Sequence, residues 1–320
     1  MAEIYGDVAI STQAKLAIVY EGAGGANEVT DNLGYDGTVA VGDFASATQF
    51  EFISEAIAKQ EPMQYNGGVR GTRSRNCERV RKSATVVQGS IELNPTPAEL
   101  DKLLYWTTGT STTPFALLET VPTIAIIVDR GAQRFMYPGC KIAQFSIGGQ
   151  QGGIIRTQLG IVGKQEFTSA SAFPSLSIDD KEPYVFSEAT LTYSGDTYEI
   201  NSFEIQVDNG IETNRQMNSM YRRRLPAGDR AVTLSLGFPY SSTLFNLFGN
   251  MAEEGIDNVV LAVTNGNVSF SATFANLKAD NVTPVAGGRG SEIMMPVQFT
   301  AYKKSSTMEV VFANDSNYAS

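Results

Sequence analysis

The chain has 320 residues, a net charge of −10, two cysteines and no histidine. With 42% hydrophobic and 18% charged residues it can bury a large core and is not a disordered chain. Lacking histidine, it cannot hold a Ser-His-Asp triad, an imidazole base or a His-bearing zinc site, and no nucleophile motif replaces them. The reading is a non-enzyme with no cofactor, no catalytic residue and no metal site.

The start, MAEIYGDVAISTQAKLAIVYEG, lacks a basic leader region, and its apolar run LAIVY is short for a signal peptide. No window approaches 18 apolar residues, so no membrane insertion by a helix is expected. Cys77 and Cys140 are then expected as free thiols.

In chain order, KLAIVYEG reads as a strand, followed by a Gly/Asn/Asp-rich excursion to about residue 45. Gly22, Gly24 and Gly25 follow that strand, but the helix that a dinucleotide fingerprint needs is missing, so they read as a loop. A strand is expected at about 48–57, with Phe50 and Phe52 on one face, Glu51 and Glu55 on the other, and Ile53 as an apolar exception. After a basic loop, SATVVQGSIEL forms the next strand. Thr96-Pro97-Ala98-Glu99 is a capping box with proline in the first turn, and Leu100, Leu103 and Leu104 share one helical face up to Gly109. The segment TIAIIVDRGAQRFMY reads as a hairpin turning at Asp129-Arg130-Gly131. The GGQQGG run at 148–153 reads as a loop, and a strand at 154–164 closes the unit.

The same order then recurs. The Ser/Pro/Asp-rich stretch TSASAFPSLSIDD is a connector, with Asp179, Asp180 and Glu182 as solvated linker charges. Strand NSFEIQVD follows, with Glu204 matched to Glu51, then a second basic loop and strand RAVTLSLGF. A short helix is capped at Ser241 or Ser242, with Leu244, Leu247, Phe248 and Met251 on its stripe. A hairpin turns at Asn265-Gly266, VAGGRG forms a loop, and a last strand spans 292–304. The chain therefore divides into units at 1–170 and 181–320, joined by a linker at 171–180, with terminal arms.

Two patterns carry functional information. Residues 59–82 hold seven Lys/Arg against two Glu, and residues 210–230 hold five Arg against two acids, so half of the 24 basic residues sit in two loops. Arg70, Arg73, Arg75, Arg79 and Arg81 in the first, and Arg215, Arg222, Arg223 and Arg224 in the second, can meet nucleic acid or an acidic surface of another copy. The acidic body favours self-assembly. The flanking strands alternate, with Glu51, Glu55, Gln88, Ser90, Glu92, Glu204, Gln206, Asp208, Thr233 and Ser235 on a wet face.

The wording FSEATLTYSGDTYEINSFEIQVDNGIETNRQMNSM with PAGDRAVTLSLGFPY, and VVQGSIELNPTPAELDKLLYWTTG in the first half, resembles the major tail tube proteins of long-tailed, non-contractile bacteriophages. The resemblance runs from about residue 45 to 304. It implies a mainly β fold, here two tandem tail-tube-like β-sandwich or half-barrel domains, each with a short flanking α-helix. It also implies stacked rings, trimeric and pseudo-hexameric because the domain is doubled, around a lumen that conducts the genome. On that reading the wet-face residues line the lumen and the arginine loops stack ring on ring. Partners would be the chain itself, the tape measure protein, tail-tip and terminator proteins, and double-stranded DNA in transit. The protein would be a virion component assembled in the host cytoplasm. Another β-rich virion component, such as a decoration or tail-end protein, and a carbohydrate- or ligand-binding module remain as alternatives.

Overall fold

The computed structural model describes residues 13–22, 39–65, 68, 71–213, 220–222, 224–249, 255–282, 284, 286 and 292–316. Most of the N-terminal arm, the last four residues, the glycine-rich stretch after residue 22, most of VAGGRG, Met251, Arg70, Arg215 and Arg223 lie outside the described residues, and the segment expected as a C-terminal arm forms a strand at Val310–Asp315.

The first half contains β1 (Lys15–Gly22), β2 (Thr48–Phe50), β3 (Ser54–Glu55), β4 (Ala58–Gln60), β5 (Met63–Tyr65), β6 (Val80–Lys82) and β7 (Val86–Leu93). Helix α1 (Pro97–Thr108) follows, where Thr96 accepts from the Glu99 amide and Glu99 reaches back to the Thr96 amide, as the capping box predicts. Gly109 ends it at φ 89°, a left-handed conformation that glycine adopts without strain. Then come β8 (Phe115–Ala116), β9 (Thr123–Asp129), β10 (Arg134–Gln150), β11 (Arg156–Gly163) and β12 (Phe167–Ser169).

The second half contains β13 (Ala189–Tyr193), β14 (Asp196–Tyr198), β15 (Ser202–Asp208) and β16 (Ala231–Pro239). The expected helix forms only as α2 (Ser242–Leu244), capped by Ser241, and widens into a π turn at Phe245–Gly249. Phe248 is buried there, stacked on Phe238 with centroids 4.8 Å apart. Strands β17 (Ile256–Asn265), β18 (Val268–Val282), β19 (Met294–Tyr302) and β20 (Val310–Asp315) complete the chain, with the β17–β18 hairpin turning at Gly266 (φ 58°). The fold is mainly β.

One antiparallel sheet, here called the wall, crosses the molecule in the order β3/β4, β7, β11, β10, β15, β16, β19 and β18. Two further sheets stack on it. In the first half this is β2–β1–β9–β10–β12, and in the second β14–β13–β17–β18–β20. The long strands β10 and β18 each belong to the wall at one end and to a stacked sheet at the other. One core cluster runs between the layers from Leu16 to Phe312, and a smaller one, around Val41, Phe44 and Ile127, covers the outer side of β1 and β9. Covered on both sides, β9 is a continuous apolar run and not an alternating one.

The wall pairings of the two halves run in matching register, although the β5–β6 ribbon and the β8–β20 pair have no counterpart. Register slips between Ile142 and Gln144 in β10, and between Ala279 and Asn281 in β18, fall at the same step against β11 and β19. Following partners outward, Ile161 matches Phe299 and Gly89 matches Leu234. Ile57, packed on Gly89, then matches Ile205, the partner of Leu234. The helix caps Thr96 and Ser241 stand the same distance beyond Gly89 and Leu234.

This register corrects two expectations. Residues 48–57 are not one strand. Thr48–Phe50 pairs with β1, the chain crosses between layers at residues 51–53, and the wall strand begins at Ser54. Ile53 N donates to Glu92 O at 2.8 Å and Ala56 N to Ser90 O at 2.9 Å, so the chain joins β7 only after the crossing, which breaks the alternation expected over 48–57. Ala56, not Glu51, matches Glu204. The second correction concerns GGQQGG: Gly148 and Gly149 are strand residues of β10, and a Cβ on Gly148 would lie 2.7 Å from Phe203 O. Glycine is required there by the close approach of β15.

Candidate functional site: the polar wall face and the arginine loops

Because cross-strand partners point the same way, the wall register defines its two faces. One row reads Ser54, Glu92, Gln158, Ser146, Gln206, Thr233, Thr300 and Lys278 across the eight strands. A neighbouring row reads Arg156, Gly148, Glu204, Ser235 and Gln298. Between them on the opposite face, Leu93, Thr157, Ile147, Ile205, Leu234 and Phe299 are buried.

The polar face thus gathers Gln88, Ser90, Glu92, Glu204, Gln206, Asp208, Thr233 and Ser235 as expected. It adds Gln144 and Ser146 of β10, Arg156 and Gln158 of β11, and Gln298 and Thr300 of β19. Glu92 accepts from Arg156 at 3.2 Å, and Asp208 accepts from Gln144 across the β10–β15 pair at 3.2 Å. A shallow hollow bordered by Ser146, Arg156, Gln158 and Glu204 runs over this face.

Two expected members stand elsewhere. Glu51 is exposed on the crossing segment. Glu55 stands in register with Ile91 on the dry side, where Arg130 binds it through Nε at 2.7 Å and Nη2 at 2.9 Å. The parity change at the crossing moves it off the polar face. The same pair raises the Arg130 pKa above its ordinary value.

The first arginine loop is built on the β5–β6 ribbon. At its base Glu61 lies 3.0 Å from Lys59 and 2.5 Å from Lys82, and these ammonium partners hold its carboxyl below the usual range. Arg73, Arg75, Arg79 and Arg81 are exposed, with Arg75 over the Tyr65 ring at 5.4 Å. The second loop is different. Met220 O accepts from Thr85 N at 2.6 Å, so the loop folds back on the first half. Arg224 is exposed, but Arg222 is only 5% exposed and its Nε and Nη1 have no hydrogen-bond partner among the described residues. Burial holds its pKa below the ordinary guanidinium value. Arg222 is therefore not an outward-facing docking group in the single chain. Cys77 and Cys140 are both free thiols, the first exposed and the second buried.

The described residues thus form a β protein with an extended sheet that has one dry and one polar face, flanked by cationic loops. Residues 11–301 match the family described as phage tail tube protein, and the chain belongs to that family. It is a structural component of the phage tail, a virion part that assembles into a tube. No curated protein matches the chain.

Proposed function

We propose that the chain is a tandem duplicate of one tail tube domain, that three copies close into a ring of six wall segments, and that rings stack into the tube. The observation that supports this best is the β10–β15 joint. There the last wall strand of the first half pairs with the first wall strand of the second over seven residue pairs, from Gln144–Asp208 to Gln150–Ser202. A chain with matching halves joined in this way carries one half of the same joint at each edge. Repeating the joint between copies closes the wall and removes its exposed edges.

In such a ring the polar face lines the lumen. Glu92, Glu204 and Asp208 repel DNA, which carries one charge per about 1.7 Å of axis, and they outnumber Arg156, which is tied to Glu92 at 3.2 Å, and Lys278 at the far edge of the same face. The genome passes without sticking. Arg73, Arg75, Arg79, Arg81 and Arg224 dock on the acidic body of the adjacent ring. This contact joins unlike surfaces and so extends as a filament. The tape measure protein fills the lumen before ejection, and tail-tip and terminator proteins cap the ends. The site of assembly is the host cytoplasm.

Electron microscopy of the assembled protein, with end-on averages and mass per unit length, tests the reading. Hollow tubes with six-fold-looking walls and three chains per ring are expected. Six chains per ring, or no rings or tubes under any assembling condition, would overturn it.

A further inference from the structure

The internal joint supplies a residue-level template for the joint between copies. By the matched register, Gln144 and Phe145 of β10 correspond to Asn281 and Val282 of β18, and Val207 and Asp208 of β15 correspond to Lys59 and Gln60 of β4. Among the described residues, no strand pairs with Lys278–Val282 on the side away from β19, or with β3–β4 on the side away from β7. The two edges are the two halves of the β10–β15 joint.

They are not equally apolar. At the dry-side places where β15 buries Phe203 and Val207, the exposed edge carries Glu55 and Lys59. Glu55 is tied to Arg130, and Lys59 lies 3.0 Å from Glu61 and 4.0 Å from Glu166. Inward-facing charge on an edge strand opposes unguided pairing. Inside the chain, by contrast, Phe145–Val207 and Ile147–Ile205 make the joint wholly apolar on its dry side.

We propose that β18 of one copy lies antiparallel on β3–β4 of the next, with Asn281 opposite Gln60 and Val282 opposite Lys59. Lys59 and Glu55 then make this the guarded joint of the wall. The proposal rests on the ring reading above and adds its partner strand, its register and its control.

The test mixes Gln60→Cys chains with Asn281→Cys chains, both carrying Cys77→Ser to remove the exposed native thiol, and oxidises the assembled protein. A disulfide-linked dimer is expected from the mixture and not from either chain alone, nor from Gln64→Cys mixed with Asn281→Cys. Tubes of three chains per ring in which Asn281→Cys fails to link to Gln60→Cys overturn the joint and leave the ring reading standing. Absence of rings and tubes from the unsubstituted chain overturns both. As a second measurement, Lys59→Val should lower the protein concentration at which tubes appear by roughly tenfold, the equivalent of burying one valine. An unchanged or raised threshold, with tubes still forming, rules out the guard.

Discussion

Glu55 and Arg130 form a two-bond ion pair at 2.7 and 2.9 Å, and the same guanidinium donates to Ile57 O at 2.7 Å and lies 4.6 Å from the Phe135 ring centre. One side chain of the β9–β10 turn thereby fastens the irregular edge strand of the wall to the layer behind it. The Glu55 side chain is only 9% exposed, so removing its partner strands a nearly buried carboxylate. Arg130→Ala and Glu55→Ala should each cost about 2 kcal/mol in urea unfolding. The double variant should cost little more than either, with a coupling of about 1–2 kcal/mol in the cycle.

Glu99 gives the fold a pH dependence. Its residue is 3% exposed, Oε1 has no partner among the described residues, and burial, with Asp179 nearby, raises its pKa to about 7 although the Thr96 amide favours the charged form. An acid whose pKa rises on folding binds its proton more tightly in the native state. Its contribution to stability is thus greatest below the unfolded value of 4.5 and falls as pH rises towards 7. The loss over this window is on the order of 2–3 kcal/mol. Glu99→Gln keeps an acceptor for the Thr96 amide and should flatten the slope in denaturation curves taken between pH 5 and 8. A slope unchanged from the parent would assign it to other groups.

Gly89 stands where the second half has Leu234, and a Cβ there would lie 2.3 Å from Ala56 O and 2.5 Å from the Ile57 Cα. These are backbone atoms, which yield only if the β4–β7 pairing opens. Gly89→Ala should cost about 2 kcal/mol or more and speed amide exchange at Ala56–Gln60 relative to β15.

Asn314 binds the second half to the helix of the first. Its Nδ2 donates to Pro97 O and to Asp101 Oδ1, both at 2.8 Å, and its Oδ1 accepts from the Tyr184 hydroxyl at 3.1 Å. Asn314→Ala removes three hydrogen bonds that tie β20 to α1 and to Tyr184 and should cost about 2–3 kcal/mol. In calorimetry, loss of β20–α1 coupling should broaden or split a transition that is single in the parent.

The sequence by itself determined the β class, the capped helix α1, both hairpin turns and most of the polar face. Each rests on local chemistry: alternation, a capping box, Asn-Gly, and arginines clustered between strands. It also carried the resemblance to phage tail tube proteins, which the match over residues 11–301 bears out at the level of that family. The tertiary structure decided where the two halves join, because the β10–β15 pairing is a non-local contact with no local signature. It moved the first wall strand from 48–57 to 54–60, since the chain must cross between stacked layers and that crossing resets the alternation. For the same reason Glu55 turned inward to Arg130. Arg222 became buried because its loop folds back on Thr85, a contact between segments more than a hundred residues apart. Local pattern gives a strand its two faces, but only the neighbouring layer decides which face is dry.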